Sequence, residues 1–182
     1  MSRSHLESYS QEDAKKSWEI LEQAITKIYE KKFYDLSYEE LYRNGYFLVL
    51  HRHGELAYQN LQKSIRNHLS QYHCRLPQVQ EDNFLEVFND IWNDAVEMMK
   101  AICRIFLYME RNYIPQKTLA PLKIVCYQAF LHAFLENKSF CERFQQTVLG
   151  LIRNERDGMN VNRILIKNIL GMLVLIFLLH FD

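Results

Sequence analysis

Glycine and proline are scarce in this chain, five and three among 182 residues. That leaves too little material for the many tight turns of an all-β fold. No stretch alternates apolar and polar residues for any length, so strands are not expected. An excess of charge of one sign is also missing. Lysine plus arginine number 22 and aspartate plus glutamate 22, so no global field draws the chain to nucleic acid or anionic lipid. Lys15, Lys16, Lys27, Lys31 and Lys32 cluster locally, but acidic neighbours interleave with them, the pattern of a solvated helix face. The four cysteines, Cys74, Cys103, Cys126 and Cys141, include no C-x-x-C pair and no histidine at zinc-finger spacing. Three of them sit in apolar helical surroundings, where a thiol behaves as a small hydrophobe. With no N-terminal signal peptide, the expectation is a reducing, intracellular compartment without disulfides.

Catalytic signatures are absent too. There is no G-x-S-x-G, no P-loop and no glycine-rich phosphate loop. His51 and His53 bracket Arg52, and His68 and His73 follow, but no carboxylate stands at ligand spacing with them. On a helix, residues two apart point to different faces, so the two histidines around Arg52 cannot share one ion undistorted. Neither Cys103 nor Cys126 has a histidine placed by sequence to activate it. The expectation is a non-enzyme with no catalytic residue, no metal and no cofactor.

What the chain does have is apolar residues at helical period. It is 48% hydrophobic and 24% charged, the composition of a folded domain long enough to bury a core. Residues 1–12 are polar and read as a disordered tail, and 13–182 as one helical domain. The first helix runs from about Asp13 to Lys31, with Trp18, Leu21, Ile25 and Ile28 on one side. A second ends near His53 and Gly54, the glycine suiting a left-handed cap. A third, about Leu56 to Tyr72, sets Leu61, Ile65 and Leu69 four apart, and Pro77 marks the loop after it. A long fourth, about Asp82 to Tyr113, is stopped by Pro115. Pro121 suits the first turn of a fifth, carrying Ile124, Val125, Phe130, Leu131 and Phe134. Asn137 to Ser139 breaks the chain before a sixth, Phe140 to Arg153, and a turn over Asn154 to Met159 precedes a seventh. The fold class is all-α, a bundle of about six to seven helices with one long central helix.

The densest segment is Leu36 to Glu55, LSYEELYRNGYFLVLHRHGE. Ser37 followed by Glu40 has the form of a capping box. Tyr38, Tyr42 and Tyr46 recur every fourth residue and share a side of the helix. Leu41, Gly45, Leu48 and Val49 fall beside them, while Glu39, Glu40, Arg43 and Asn44 point away. Two readings of the tyrosines stand side by side: the edge of a core, or a surface buried only when a partner is bound.

That segment resembles the second-helix signature of the cullins in its cullin-3-like form. Trp18 with Leu21, Ala24 and Ile25 resembles their first helix. Trp92-Asn93-Asp94 with Met98 and Met99, and Leu107-Tyr108-Met109-Glu110-Arg111 with Tyr113, resemble their long fourth helix. Glu155-Arg156-Asp157-Gly158 with Val161 and Arg163 resembles the turn closing the first cullin repeat. The resemblance covers about Trp18 to Leu173 and implies a cullin-repeat bundle. It also implies a scaffold of a RING ubiquitin ligase, whose partners are BTB-domain substrate adaptors, in the cytoplasm and nucleus. The adaptor face it implies is Leu36, Ser37, Tyr38, Glu39, Tyr42 and Tyr46, together with Tyr108 and Arg111. Glu39 and Arg43 would set register on its rim.

Departures qualify the match. Gly45 stands where the family usually has alanine, which weakens the helix but lets a partner backbone come close. Ala95 replaces a histidine. The adaptor-gripping extension of cullin-3 is not recognisable in Met1 to Ala14. Later repeats, the RING-binding domain and its modified lysine have no counterpart in these residues, so the RING subunit is not expected to bind this chain. A truncated adaptor-binding module is expected to compete with a full-length cullin. The other reading is a diverged helical protein held to a membrane or another subunit by Ile169 to Phe181, an apolar run broken only by His180. Thirteen residues fall short of the about 20 needed to span a bilayer, so a core helix is expected there, with Val174 to Asp182 departing from the family.

Overall fold

The computed structural model describes residues 9–73, 83–134 and 137–180, without the side chains of residues 73 and 176–180. The expected loop at Pro77, the residue Cys74 and the tail before residue 9 lie outside the described residues. Every regular element among the described residues is helical. Packing divides the chain into two compact units. One takes the chain through Leu61 together with Lys100–Leu122, the other Gln62–Met99 and the chain from Lys123.

In the first unit, α1 (Gln11–Tyr29) starts two residues earlier than expected. Its cap is Ser10, whose Oγ accepts from the Asp13 N–H at 3.2 Å. The Asp13 carboxylate reaches back to accept from the Ser10 N–H at 2.9 Å. Two first-turn donors are satisfied, so residues 10–12 belong to the fold instead of the tail. Ala14, Trp18, Leu21, Ala24, Ile25 and Ile28 are buried at three- and four-residue spacing. Lys31, at φ 61°, ends the helix in the left-handed conformation.

After a 3₁₀ turn over Phe33–Asp35 comes α2 (Tyr38–Leu50). Ser37 precedes it, but its side chain makes no capping bond. The box read from Ser37 and Glu40 does not form, because spacing alone cannot supply the cap's backbone geometry. The helix closes through the His53 N–H on the Leu48 carbonyl at 2.8 Å. The left-handed residue there is Arg52, at φ 68°, not Gly54. Gly54 instead opens α3 (Gly54–His73). Its missing side chain answers a different need: a Cβ there would lie 2.8 Å from the Tyr113 ring.

Helix α4 (Phe84–Ile105) is followed by a turn at Phe106, a π-helical segment over Met109–Tyr113 and a short α5 (Ile114–Gln116). The helical path therefore passes Pro115, expected as its stop. The wider π turn ahead leaves room for the pyrrolidine ring against the preceding carbonyls. Thr118, at φ 53°, turns the chain out. The Glu110 carboxylate then accepts from the Leu122 N–H at 3.0 Å, which starts α6 (Leu122–Phe134) just after Pro121. Trp18 and Phe106 meet at 6.5 Å between ring centroids within this first core.

The second unit is built on phenylalanine. Phe88 lies 5.7 Å from Phe130, 5.5 Å from Phe134 and 5.2 Å from Phe144 between centroids. Trp92 stacks on Tyr127 at 5.6 Å. Each such pair contributes about 0.5–1.5 kcal/mol beyond its buried area. Asn137 caps α7 (Lys138–Arg156), its Oδ1 accepting from the Phe140 N–H at 3.1 Å, so α7 begins two residues before Phe140. Gly158, at φ 78°, makes the turn to α8 (Arg163–His180). Asn162 accepts from the Leu165 N–H at 3.1 Å, and Arg163 lies 3.3 Å from Glu155. The Glu-Arg-x-Gly turn is therefore a helix stop, a left-handed glycine and a helix start in nine residues. One face of α8 is core, with Leu165, Ile169 and Met172 buried, but the opposite face is open. No helix among the described residues is long and apolar enough to cross a membrane.

Candidate functional site

The residues of the expected face all belong to the first unit. Helix α2 buries Leu41, Gly45 and Leu48. Four-residue steps advance about 40° around a helix, so the tyrosines move from the edge of that buried stripe toward solvent. Tyr38 is half-buried beneath Arg104, whose guanidinium lies 4.2 Å from the ring centre. Tyr42 is 37% exposed. Tyr46 is half-buried and meets Tyr108 edge-on at 4.6 Å. The ladder is neither core nor free surface: Tyr38 and Tyr46 are half-buried and each packs against another side chain, while Tyr42 is open. A pre-ordered aromatic loses little entropy when a partner covers it.

Leu36 is half-buried and Ser37 exposed just before α2. Glu39 is exposed and its Oε1 lies 2.8 Å from Arg43 Nη2. An i,i+4 pair in water is worth only about 0.3–0.5 kcal/mol, so either charge is available to a partner. Arg111 is exposed in the π-helical segment, three residues beyond Tyr108, which immediately precedes that segment. The geometry thus brings Tyr46 and Tyr108 into direct contact, while Arg111 is only near Tyr108 along the chain.

Gly45 has a different part from the one expected of it. It is buried, and a Cβ would stand 3.3 Å from the Ile105 carbonyl oxygen and 3.7 Å from the Phe106 ring. The backbone that comes close is this chain's own, so Gly45 is not a door for a partner. It seats α2 against the end of α4, which carries Tyr108 within reach of Tyr46.

Several exposed residues extend this side beyond the tyrosines read from sequence. Phe47 is 36% and Leu50 49% exposed on α2, and Leu107 and Tyr34 are open as well. Tyr9 stacks on His51 at 4.4 Å and 9° and lies 6.3 Å from Phe47. Its hydroxyl donates to Ser17 Oγ at 2.7 Å, and burial raises its pKa above the ordinary value. Tyr9 also lies 5.9 Å from His53, so one ring neighbours both histidines, which lie past the end of α2 instead of on two of its faces. A lone tyrosine in a polar stretch carries no periodic signal, which is why sequence placed it in the tail. Phe47 and Leu50 could have been found, since both fall opposite Gly45 on the helical wheel. Among the described residues no three histidine, cysteine or carboxylate groups gather as a metal site.

The family model for the cullin alpha solenoid domain matches residues 18–179. The chain is 36% identical over 164 residues to Cullin-3 of Dictyostelium discoideum, covering 88% of this chain and 21% of that protein. It is 34% identical to Cullin-3B of Arabidopsis thaliana over 163 residues, 87% of this chain and 22% of that one. Cullin-3 of Caenorhabditis elegans is 34% identical over 160 residues, 87% and 21% of the two chains. The chain spans about a fifth of the length of these relatives. The domain match begins at the tryptophan that opens the first-helix motif and runs through α8, across the helices described above: this chain belongs to the cullin family.

Proposed function

We propose that this chain is the adaptor-binding part of a cullin-3-like scaffold of a RING ubiquitin ligase, with BTB-domain proteins as its partners. It performs no chemistry itself and places the adaptor for a RING subunit bound elsewhere. The role belongs in the cytoplasm and nucleus. The observation that carries the reading is the half-open tyrosine ladder of α2 held against Tyr108. Cullin-3 relatives at 34–36% identity support the choice of subfamily. The contact set is Leu36, Ser37, Tyr38, Glu39, Tyr42, Tyr46, Tyr108 and Arg111. Aromatic anchors with a charged rim are typical of interface hot spots.

The test is a pull-down of the 182-residue chain against a panel of BTB domains. Tyr42→Ala is the decisive variant, because Tyr46 also packs on Tyr108 and its loss mixes stability with binding. Truncating an anchor costs at least about 2 kcal/mol, roughly thirtyfold in affinity. Unchanged binding with intact helicity would overturn the assignment. Expressed as these 182 residues alone, the chain occupies adaptors without recruiting conjugating enzyme. BTB-delivered substrates should then accumulate in wild-type but not Tyr42→Ala cells, by mass action. Faster substrate turnover would contradict this competition.

A further inference from the structure

Arg104 joins the tyrosine ladder by packing, although no motif in the sequence marks it. It stands near the end of α4, exposed, with its guanidinium carbon 4.2 Å from the centre of the Tyr38 ring. At that distance the ring face attracts the cation. Among the described residues Arg104 has no carboxylate within ion-pair distance and no protein acceptor for its N–H donors. Two carboxylates of the same unit are engaged elsewhere. Glu39 pairs with Arg43 at 2.8 Å, and Glu110 accepts from the Leu122 N–H at 3.0 Å. The ladder therefore has a cation fixed over its first ring, with its hydrogen-bonding capacity turned to water.

We propose that Arg104 is a specificity-determining residue of this face, taking a carboxylate of the bound BTB domain above the Tyr38 ring. This rests on the reading of the tyrosine ladder as the adaptor face. A partner that covers Tyr38 also covers the cation 4.2 Å above it. Burying that charge unpaired, with its donors stripped of water, is strongly unfavourable. A partner that fits must therefore bring an acceptor. A carboxylate matches the planar fork of a guanidinium with two parallel N–H···O bonds, which no single carbonyl can do. The ring beneath holds the guanidinium in place beforehand, so less side-chain freedom is lost when the pair forms. An adaptor with an apolar residue at that point leaves the charge unpaired, and one with a lysine or arginine meets like charge. Both are rejected, and selection among adaptors follows.

The test uses the 182-residue chain and the BTB domain that it retains best in the panel pull-down. Arg104→Ala should weaken that binding about tenfold or more and flatten its dependence on salt. On the adaptor side, exposed Asp and Glu are changed one at a time to Asn and Gln. One of these changes should weaken binding of the wild-type chain by a similar factor yet leave binding of Arg104→Ala unaltered. That non-additivity marks the pair. Arg104→Glu should bind poorly and recover when the paired acid is changed to Arg. Should Arg104→Ala lose helicity, Arg104→Gln takes its place in the cycle, and the adaptor-side changes act on the wild-type chain in any case. Wild-type affinity in Arg104→Ala, a loss indifferent to salt, or no adaptor carboxylate coupled to Arg104 overturns the proposal. If Tyr42→Ala abolishes binding while Arg104→Ala does not, the role of Arg104 alone fails. If no BTB domain is retained, the adaptor reading fails and this proposal with it.

Discussion

Two substitutions two residues apart should move stability in opposite directions. Gly54 stands where family-like sequence and a helix end invite a left-handed glycine, yet the left-handed residue is Arg52, at φ 68°. Gly54→Ala should therefore destabilise. The new Cβ would sit 2.8 Å from Cδ2 and Cε2 of Tyr113 and 3.0 Å from its Cγ. Contact with Cγ cannot be relieved by swinging the far end of the ring, so backbone must move, at about 1–3 kcal/mol. Alanine's better helix propensity returns at most about 1 kcal/mol, less at the first residue of a helix. The net is a loss of about 1–2 kcal/mol, against the two opposing effects just named. Arg52→Gly removes a left-handed strain of about 1–2 kcal/mol and adds about 0.5–1 kcal/mol of unfolded-state entropy. It should be neutral to stabilising by up to about 1 kcal/mol. Urea unfolding followed by circular dichroism gives both numbers, and Tyr113→Ala should erase most of the Gly54→Ala penalty. If Gly54→Ala is neutral while Arg52→Gly destabilises, the steric account of Gly54 is wrong.

Ser10→Ala should fray the start of α1 and flatten its acid response. The Ser10 hydroxyl, and then its N–H, hold Asp13 below the ordinary carboxylate range. A depressed folded pKa gives stability that is present above the unfolded carboxylate pKa of about 4. That stability is lost as pH falls from about 4 through the lower folded value, so the gap between wild type and variant should be widest above pH ~4 and narrow across that window. Tyr9→Phe should cost about 1 kcal/mol, because the buried Ser17 hydroxyl loses its donor. Burial raises the Tyr9 pKa, so the fold holds the neutral phenol. Its contribution is full below the unfolded tyrosine pKa of about 10 and fades as pH rises past it, a dependence Tyr9→Phe should abolish in alkaline unfolding titrations. Loss of stability in Tyr9→Phe equal to that in Tyr9→Ala would show that the ring stacking on His51 contributes nothing.

What was legible in the sequence was local. The buried stripe of α1 and the spacing of Leu61, Ile65 and Leu69 in α3 are periodic, and both are core. Gly158, in a turn motif, has the positive φ that its type implies. Where a local rule failed, a residue of unsuited type held the special conformation. Lys31, Arg52 and Thr118 take left-handed φ, and nothing in their propensities marks them. The box read at Ser37 on α2 does not form, while one that was not read forms at Ser10 on α1, where aspartate replaces the glutamate of the usual box. Pro115 looked like a stop because its effect in a regular helix is known. The π turn that accommodates it depends on the segment from Met109 to Tyr113 as a whole.

The candidate face was legible only in halves. Tyr46 announces itself by spacing on α2, and Tyr108 by its place in a second motif about sixty residues later. That the two rings touch at 4.6 Å is a tertiary fact. The one trace it leaves in sequence is Gly45, read first as a concession to a partner. Its Cβ would press on the Ile105 carbonyl at 3.3 Å, so the glycine sets how closely α2 approaches the segment carrying Tyr108. The shape of the face is therefore decided on the side of α2 that no partner reaches. A buried residue that fixes the spacing of two surface elements governs recognition as firmly as the side chains that make contact, because rings pre-positioned by packing need not be ordered on binding.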